Sequence, residues 1–187
     1  MSANEVIKDY NEHCAEIEKW IALKGEQKYL RFVKLLIANN ITVEWCVLID
    51  LYRYDKRLLI TLFKYLSFFE EFLRAQIWNF SKINYKKLED AYLNKTIDEV
   101  IKNKNLITTV DFSLDILSKN QGIINYLRNR VSHNKIILES KTNGLAIKDL
   151  LTAFKETLPK SYQRGFITDI NKCANKLNLT KELVIML

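Results

Sequence analysis

Glycine and proline are scarce in this chain, which has four glycines and one proline in 187 residues. β-Sandwiches and barrels need many turn residues, so this scarcity favours long helices over those folds. Hydrophobic residues make up 48% of the chain, which is typical of a folded globular protein and not of a disordered one. The length suffices for one domain with a buried core.

Cysteine is also rare, and its spacing argues against the usual cysteine-based sites. Cys14, Cys46 and Cys173 are odd in number and far apart, and no CxxC pair exists. The His13–Cys14 pair has no second pair that would complete a zinc site. We therefore expect reduced thiols, no metal and no cofactor.

Long hydrophobic runs are missing as well. No apolar run approaches the length of a membrane span, because Asp50 and Lys64 interrupt the most hydrophobic region. The first residues, Met1 to Glu5, are polar and charged, unlike a signal peptide. These absences predict a soluble, cytoplasmic protein with no membrane partner.

Positive charge is in excess, since 29 Lys and Arg against 22 Asp and Glu give a formal net charge of +7. Such an excess favours an anionic partner, although it also serves solubility. Lysines are concentrated in one polar region that also contains Tyr85 and Tyr92. Lys82, Lys86 and Lys87 are the candidates in that region for guiding an RNA backbone. The alternative is a solvated face without a ligand.

The spacing of apolar residues is helical along almost the whole chain, so we predict an all-α fold, a helical bundle. Thr42 and Asp55 are predicted to cap two successive helices, and Gly122 to permit a turn or kink. The clearest turn is Lys141 to Gly144. No repeat or interdomain linker is evident, and we expect a single domain over 1–187. The predicted helices are 4–23, 27–38, 43–54, 56–80, 84–93, 96–102, 112–119, 123–135, 147–158, 162–177 and 181–186.

The most informative segment runs from Arg128 to His133. At about 100° per residue, Asn129, Ser132 and His133 share one face of a helix, and Arg128 lies one turn before Ser132. The neighbouring arc is apolar, so the helix can bury one side and present four polar groups at the edge of a groove. Arginine binds phosphate and histidine transfers protons near neutral pH, which together suffice to cleave RNA without a metal.

These residues resemble the signature of the HEPN superfamily of ribonucleases: Arg, a polar residue, three or four variable residues, then His. The pattern here is Arg128-Asn129-x-x-x-His133, and Tyr126 to Asn134 resembles the C-terminal motif of the Abi-like (abortive phage infection) branch. Upstream, Leu51 to Leu58 followed by Phe69 to Arg74 is similar to that branch's acidic and Glu-x-x-x-Arg segments. The resemblance covers roughly Leu51 to Leu138.

The resemblance implies a HEPN-like four-helix core, at roughly 42–158, with additional short helices. It also implies a metal-independent endoribonuclease in which Arg128, Asn129 and His133 are catalytic and Ser132 supports them. Such an enzyme would act on RNA as a toxin or phage-defence effector. An antitoxin or a regulatory RNA would inhibit this enzyme, or the sensing of infection would control its activity.

One histidine in the motif leaves either the acid or the base role unfilled in a single chain. The resemblance implies that a homodimer combines two motifs in one composite cleft. Glu70 would orient Arg128 or His133 there, and Arg74 would contact RNA phosphate; the alternative for Glu70 and Arg74 is a surface ion pair. The very apolar helix around 58–77 and the motif helix are the candidate dimer interfaces.

Simpler interpretations of the motif stay open. His133 suits a helix end because a cationic imidazole interacts favourably with the dipole there. Arg128 can pair with an acid inside the bundle, and Asn129 and Ser132 can be hydrogen-bonding spacers. The whole chain can then be a non-catalytic helical RNA- or protein-binding module that keeps an inactive HEPN site, or a helical interaction protein unrelated to HEPN.

Overall fold

The computed structural model describes residues 3–81, 93–102 and 112–187, and most of these residues are helical. The prediction of an all-α helical bundle is therefore confirmed. The β-structure of these described residues is one hairpin of two short strands, in which Lys141 pairs with Ala146 and Thr142 with Leu145. In chain order, the elements are α1 (Ala3–Val6), α2 (Tyr10–Lys24), α3 (Glu26–Ala38), α4 (Trp45–Ser81), α5 (Leu93–Lys102), α6 (Leu114–Ser132), β1 (Lys141–Thr142), β2 (Leu145–Ala146), α7 (Ile147–Thr157) and α8 (Lys160–Lys172).

The helices group into two compact units. The first unit comprises Met1–Arg57 and Cys173–Ile185, and the second comprises Leu58–Lys172 and Met186–Leu187. Helix α4 contributes residues to each unit. The expectation of one domain over 1–187, with a HEPN-like core at roughly 42–158, stays a prediction.

Helix α4 is continuous where the sequence predicts two helices. Asp55, the expected N-cap of the second helix, is fully buried in the interior of α4. No glycine or proline interrupts the apolar periodicity between Val43 and Phe80, so a single favourable cap residue does not suffice to end the helix. Similarly, α6 runs through Gly122 without a break, and Ser113 begins it by accepting the Ile116 N–H at 3.3 Å.

The first unit has an aromatic core around the start of α4. Tyr29 of α3 lies 6.1 Å from Trp45 and 6.2 Å from Tyr52 between ring centres, and Phe32 packs edge-on against Tyr52. Asp9 caps α4 from a distance, because its carboxylate accepts the Trp45 N–H at 2.9 Å. Asp9 lies between α1 and α2. The sequence predicts these two helices as one helix, over 4–23.

The chain after α8 adopts turns and irregular backbone, so the predicted helix 181–186 is wrong. Side chains of α4 bind this segment. The Asp50 carboxylate accepts the Asn178 N–H at 2.8 Å, and the Tyr54 hydroxyl accepts the Ile185 N–H at 2.8 Å. Arg57 donates to the carbonyls of Cys173 and Asn175. These tertiary bonds satisfy backbone groups that a local helix would otherwise pair.

The second unit is built on an aromatic row from α4, α7 and α8. The ring of Phe69 lies 6.0 Å from Phe154, which lies 5.5 Å from Phe166, and Phe166 lies 5.0 Å from Tyr65. All four side chains are buried. Edge-to-face rings of this kind add to the burial of apolar area and fix the helices against one another.

Two polar contacts position α6 in this unit. The Asn120 amide donates to the Ala153 carbonyl of α7 at 3.1 Å, and the Gln121 amide donates to the Asp98 carboxylate of α5 at 2.7 Å. These two hydrogen bonds fix the N-terminal half of α6 against α7 and α5. The motif lies in the C-terminal half of the helix. Within the described ranges, no helix combines the length and the apolar character that crossing a bilayer requires.

Candidate active site

The last turns of α6 separate an apolar face from a polar one. Ile124, Leu127 and Val131 recur at helical spacing and are buried in the second unit. At about 100° per residue, Arg128 borders this stripe, and Ser132, Asn129 and His133 continue the arc towards the opposite side of the helix. The burial of three aliphatic side chains thus determines which way the motif faces.

The four motif side chains lie at the surface, as the periodicity predicts. Arg128 is half-buried, whereas Asn129, Ser132 and His133 are exposed. Ser132 is the last helical residue, and His133 follows as the C-cap, with its N–H donated to the Asn129 carbonyl at 3.1 Å. The helix therefore ends before the predicted end at 135, and the exposed His133 lies at its terminus.

Asn134 ends the helix in a left-handed conformation, with φ of 49°. Its N–H bonds to the Val131 carbonyl, and the Lys135 N–H bonds to the Arg130 carbonyl at 2.9 Å. This pair of bonds is a Schellman motif, for which Asn is the usual substitute for Gly. The part of Asn134 in the site is thus to fix the backbone that carries His133.

Two further motif residues hold the chain that follows. The Tyr126 hydroxyl donates to the Lys141 carbonyl at 3.0 Å and accepts the Lys141 N–H at 3.1 Å. Arg130 donates to the Ile136 carbonyl, and its guanidinium lies 5.9 Å from the centre of the Tyr126 ring. The sequence identifies these residues as part of the motif, and the structure gives them a structural task.

Arg128 is available for a ligand. Among the described residues, no carboxylate forms an ion pair with its guanidinium, which argues against the alternative that Arg128 pairs with an acid inside the bundle. Arg128 lies one turn before Ser132 on the same side of the helix, and Asn129 lies one turn before His133. The arrangement offers a cation, an amide, a hydroxyl and an imidazole within about 8 Å along the helix axis.

Glu70 and Arg74 pair with each other on α4. The Arg74 guanidinium donates to the Glu70 carboxylate at 2.9 Å, and the two side chains are 21% and 16% exposed, in the order Arg74 and Glu70. Among the described side chains, Glu70 makes no hydrogen bond to Arg128 or His133 within the protomer. The contribution of this pair to the groove stays a prediction.

Lys82, Lys86 and Lys87, the predicted RNA-guiding lysines, lie outside the described residues. A cavity of about 540 Å³, which no sequence pattern predicts, lies in the second unit between α6, the hairpin and α7. Lys119, Asn120, Lys148 and Glu156 are among its lining residues, and none of the four motif side chains is. The cavity lies on the N-terminal half of α6, and its polar lining mixes both charges, so we assign no ligand to it.

In the described part of the chain, no group of three or more His, Cys, Asp or Glu side chains is arranged to hold a metal ion. The three cysteines, all of which lie in that part, are free thiols. In comparisons with protein-family models, with curated proteins and with solved structures, no match to this chain was found.

Proposed function

We propose that this chain is a metal-independent endoribonuclease of the HEPN type, with Arg128, Asn129 and His133 as its catalytic residues. The observation that carries the proposal is the exposed arc at the end of α6, where a guanidinium and an imidazole stand beside an amide and a hydroxyl. Asn129, Ser132 and His133 are exposed, so a phosphodiester can reach them. The resemblance to the Abi-like branch supports the same assignment.

The reaction uses the nucleophile that RNA itself carries. A base removes the proton of the 2′-hydroxyl, the 2′-oxygen forms a bond to phosphorus, and the bond from phosphorus to the 5′-oxygen breaks. An acid gives a proton to the departing 5′-oxygen, so the products are a 2′,3′-cyclic phosphate and a 5′-hydroxyl. Arg128 stabilises the charge on the phosphorane oxygens, and Asn129 and Ser132 orient the phosphate or the imidazole. DNA lacks the 2′-hydroxyl and is not cleaved.

A homodimer supplies the second imidazole. His133 can serve as base or acid, but the motif holds no second group of this type, so one protomer provides half of the pair. Two motifs that face each other across a two-fold axis place two His133 and two Arg128 side chains in one cleft. The position of the motif at an exposed helix end supports this assembly, because a partner can approach it without rearrangement.

The biological role that we propose is growth arrest, as a cytoplasmic toxin or abortive-infection effector. An antitoxin protein or a regulatory RNA restrains the enzyme until infection releases it. Expression of the chain should then stop growth of a host cell, and expression of a His133→Ala variant should not. Growth that is equally slow for the two chains would contradict this role.

The direct test is cleavage of single-stranded RNA in the presence of EDTA. We expect cyclic-phosphate ends from the wild-type protein and a loss of about 10²-fold or more for His133→Ala. His13→Ala is the matched control, because it removes the only other histidine, which lies in the first unit near Asp9. Persistent cleavage by His133→Ala, or equal loss in both variants, would overturn the proposal.

A non-catalytic RNA-binding module is the second candidate. It is favoured by the structural tasks of Tyr126, Arg130 and Asn134, which would preserve much of the motif without catalysis. In that case the wild-type protein binds RNA, and the strand remains intact over long incubation. The EDTA assay with a binding measurement on the same RNA separates the two functions.

A further inference from the structure

A group of three lysines and two aromatic rings lies on the first unit, away from the motif in sequence. We call it the lysine–aromatic cluster, and it consists of Trp20 and Lys24 of α2, Lys28 of α3, and Tyr52 and Lys56 of α4. The Trp20 and Tyr52 rings meet edge to face, 6.0 Å apart between centres. Apart from the exposed Lys24, its members are half-buried.

The aromatic rings hold three ammonium groups together. Lys28 Nζ lies 5.9 Å and Lys56 Nζ 5.8 Å from the centre of the Tyr52 ring, and Lys24 Nζ lies 5.8 Å from the centre of the Trp20 ring. Each distance is within the range of a cation–π interaction. Three positive charges from three different helices thus converge on one pair of rings.

The ammonium groups of the cluster repel one another. Burial, and then the positive charge of the neighbouring Lys28, lower the pKa of Lys56 to about 8, and Lys24 acts in the same direction. The Asp55 carboxylate opposes the shift but does not cancel it. Among the described residues, no carboxylate forms an ion pair with Lys24 or Lys28. A simple solvated lysine face would let the three ammonium groups spread apart.

We propose that Lys24, Lys28 and Lys56 form a binding site for phosphate groups of a nucleotide or of an RNA strand. A phosphate oxygen accepts hydrogen bonds from several ammonium groups at once and removes their mutual repulsion. The site belongs to the first unit and requires neither Arg128 nor His133. The inference therefore goes beyond the proposed nuclease and does not depend on it.

Two probes distinguish the source of the phosphate: adenosine triphosphate without metal, and a short fluorescent single-stranded RNA with 2′-O-methyl groups, which cannot be cleaved through the 2′-oxygen. Binding of either probe through the lysines supports the site. We expect Lys24→Gln/Lys28→Gln to weaken binding about 10-fold or more. The salt dependence of RNA binding should also fall by about 0.7 for each phosphate that the variant no longer neutralises.

Lys34→Gln is the matched control. Lys34 is exposed on α3 and lies six residues after Lys28, which places it about 240° around the helix. We expect this variant to change the affinity by less than about 2-fold. If it weakens binding as much as the double variant, or if the wild-type protein binds neither probe at millimolar concentration, the site does not exist.

A second measurement needs no variant. In a titration of the wild-type protein with adenosine triphosphate, followed by NMR of the lysine side chains, the pKa of Lys56 should rise towards its ordinary value as phosphate neutralises the cluster. An unchanged Lys56 titration at saturating nucleotide would place the bound phosphate elsewhere and refute the assignment. Neither result depends on RNA cleavage, so failure of the nuclease proposal leaves this test valid.

Discussion

Tyr126 and Lys141 exchange two hydrogen bonds, since the phenol donates to the Lys141 carbonyl and accepts the Lys141 N–H. One side chain of the motif helix thereby fixes β1, which lies 15 residues further along the chain. Tyr126→Phe should lower the free energy of unfolding by about 0.5–1.5 kcal/mol for each of the two hydrogen bonds that it removes. Urea unfolding measures this change, and Tyr162→Phe, whose ring is 42% exposed, is the control.

Asn134 is expected to tolerate glycine better than alanine. Its φ of 49° lies in the left-handed region, where a Cβ costs about 1 kcal/mol and glycine costs little. Asn134→Ala should therefore lower the melting temperature more than Asn134→Gly, and it should also reduce cleavage by displacing His133. Equal melting temperatures for the two variants would show that backbone conformation at this position does not matter.

Truncation of Arg128 should reduce RNA cleavage, whereas truncation of Arg130 should reduce stability. Arg128→Ala should reduce RNA cleavage by about 10²–10³-fold with little change in stability, because its guanidinium makes no ion pair among the described residues. Arg130→Ala should lower the free energy of unfolding by about 1–3 kcal/mol, because it removes the bond to the Ile136 carbonyl and the contact with Tyr126. Cleavage kinetics and urea unfolding of both variants test the contrast. Full activity of Arg128→Ala would exclude it from catalysis.

The proposed dimer has a candidate face on α4. Ile60 and Phe63 are 65% and 60% exposed and lie three residues apart, so they share one side of the helix. Ile60→Glu/Phe63→Glu should leave the fold intact, convert the dimer to a monomer and abolish cleavage. Light scattering after size-exclusion chromatography measures the molecular mass. Leu23→Glu is the control, because the Leu23 side chain lies in the first unit and is 67% exposed. A dimer that survives the double substitution must use another surface.

The lysine–aromatic cluster should make stability depend on pH in the alkaline range. The pKa of Lys56 falls from its ordinary 10.5 to about 8 because of burial and the charge of Lys28. Between these values the unfolded chain binds more protons than the folded one, so stability should rise from about pH 8 towards 10.5. Lys28→Gln should raise the pKa of Lys56 and flatten this rise. Urea unfolding at several pH values tests it, and an unchanged slope would contradict the coupling.

Local patterns in the sequence predict much of the helical framework. Helix α7 ends at Thr157, immediately before Leu158 and Pro159, as proline requires. The exposed motif arc follows from the sequence because Leu127 and Val131 alternate with polar residues at helical spacing. By contrast, the cap predicted at Asp55 is wrong, because a favourable cap residue does not end a helix whose apolar periodicity continues on both sides of it without glycine or proline.

Local periodicity suffices to predict that this protein is helical and which side of α6 the motif occupies, because both depend on residues within a few turns of one another. The tertiary structure adds that Asp50 and Tyr54 hold the final segment, and that three lysines from three helices meet at the Trp20 and Tyr52 rings. These features arise from contacts between residues far apart in the chain, whose free energy exceeds the small preferences of single residues for a cap or a turn.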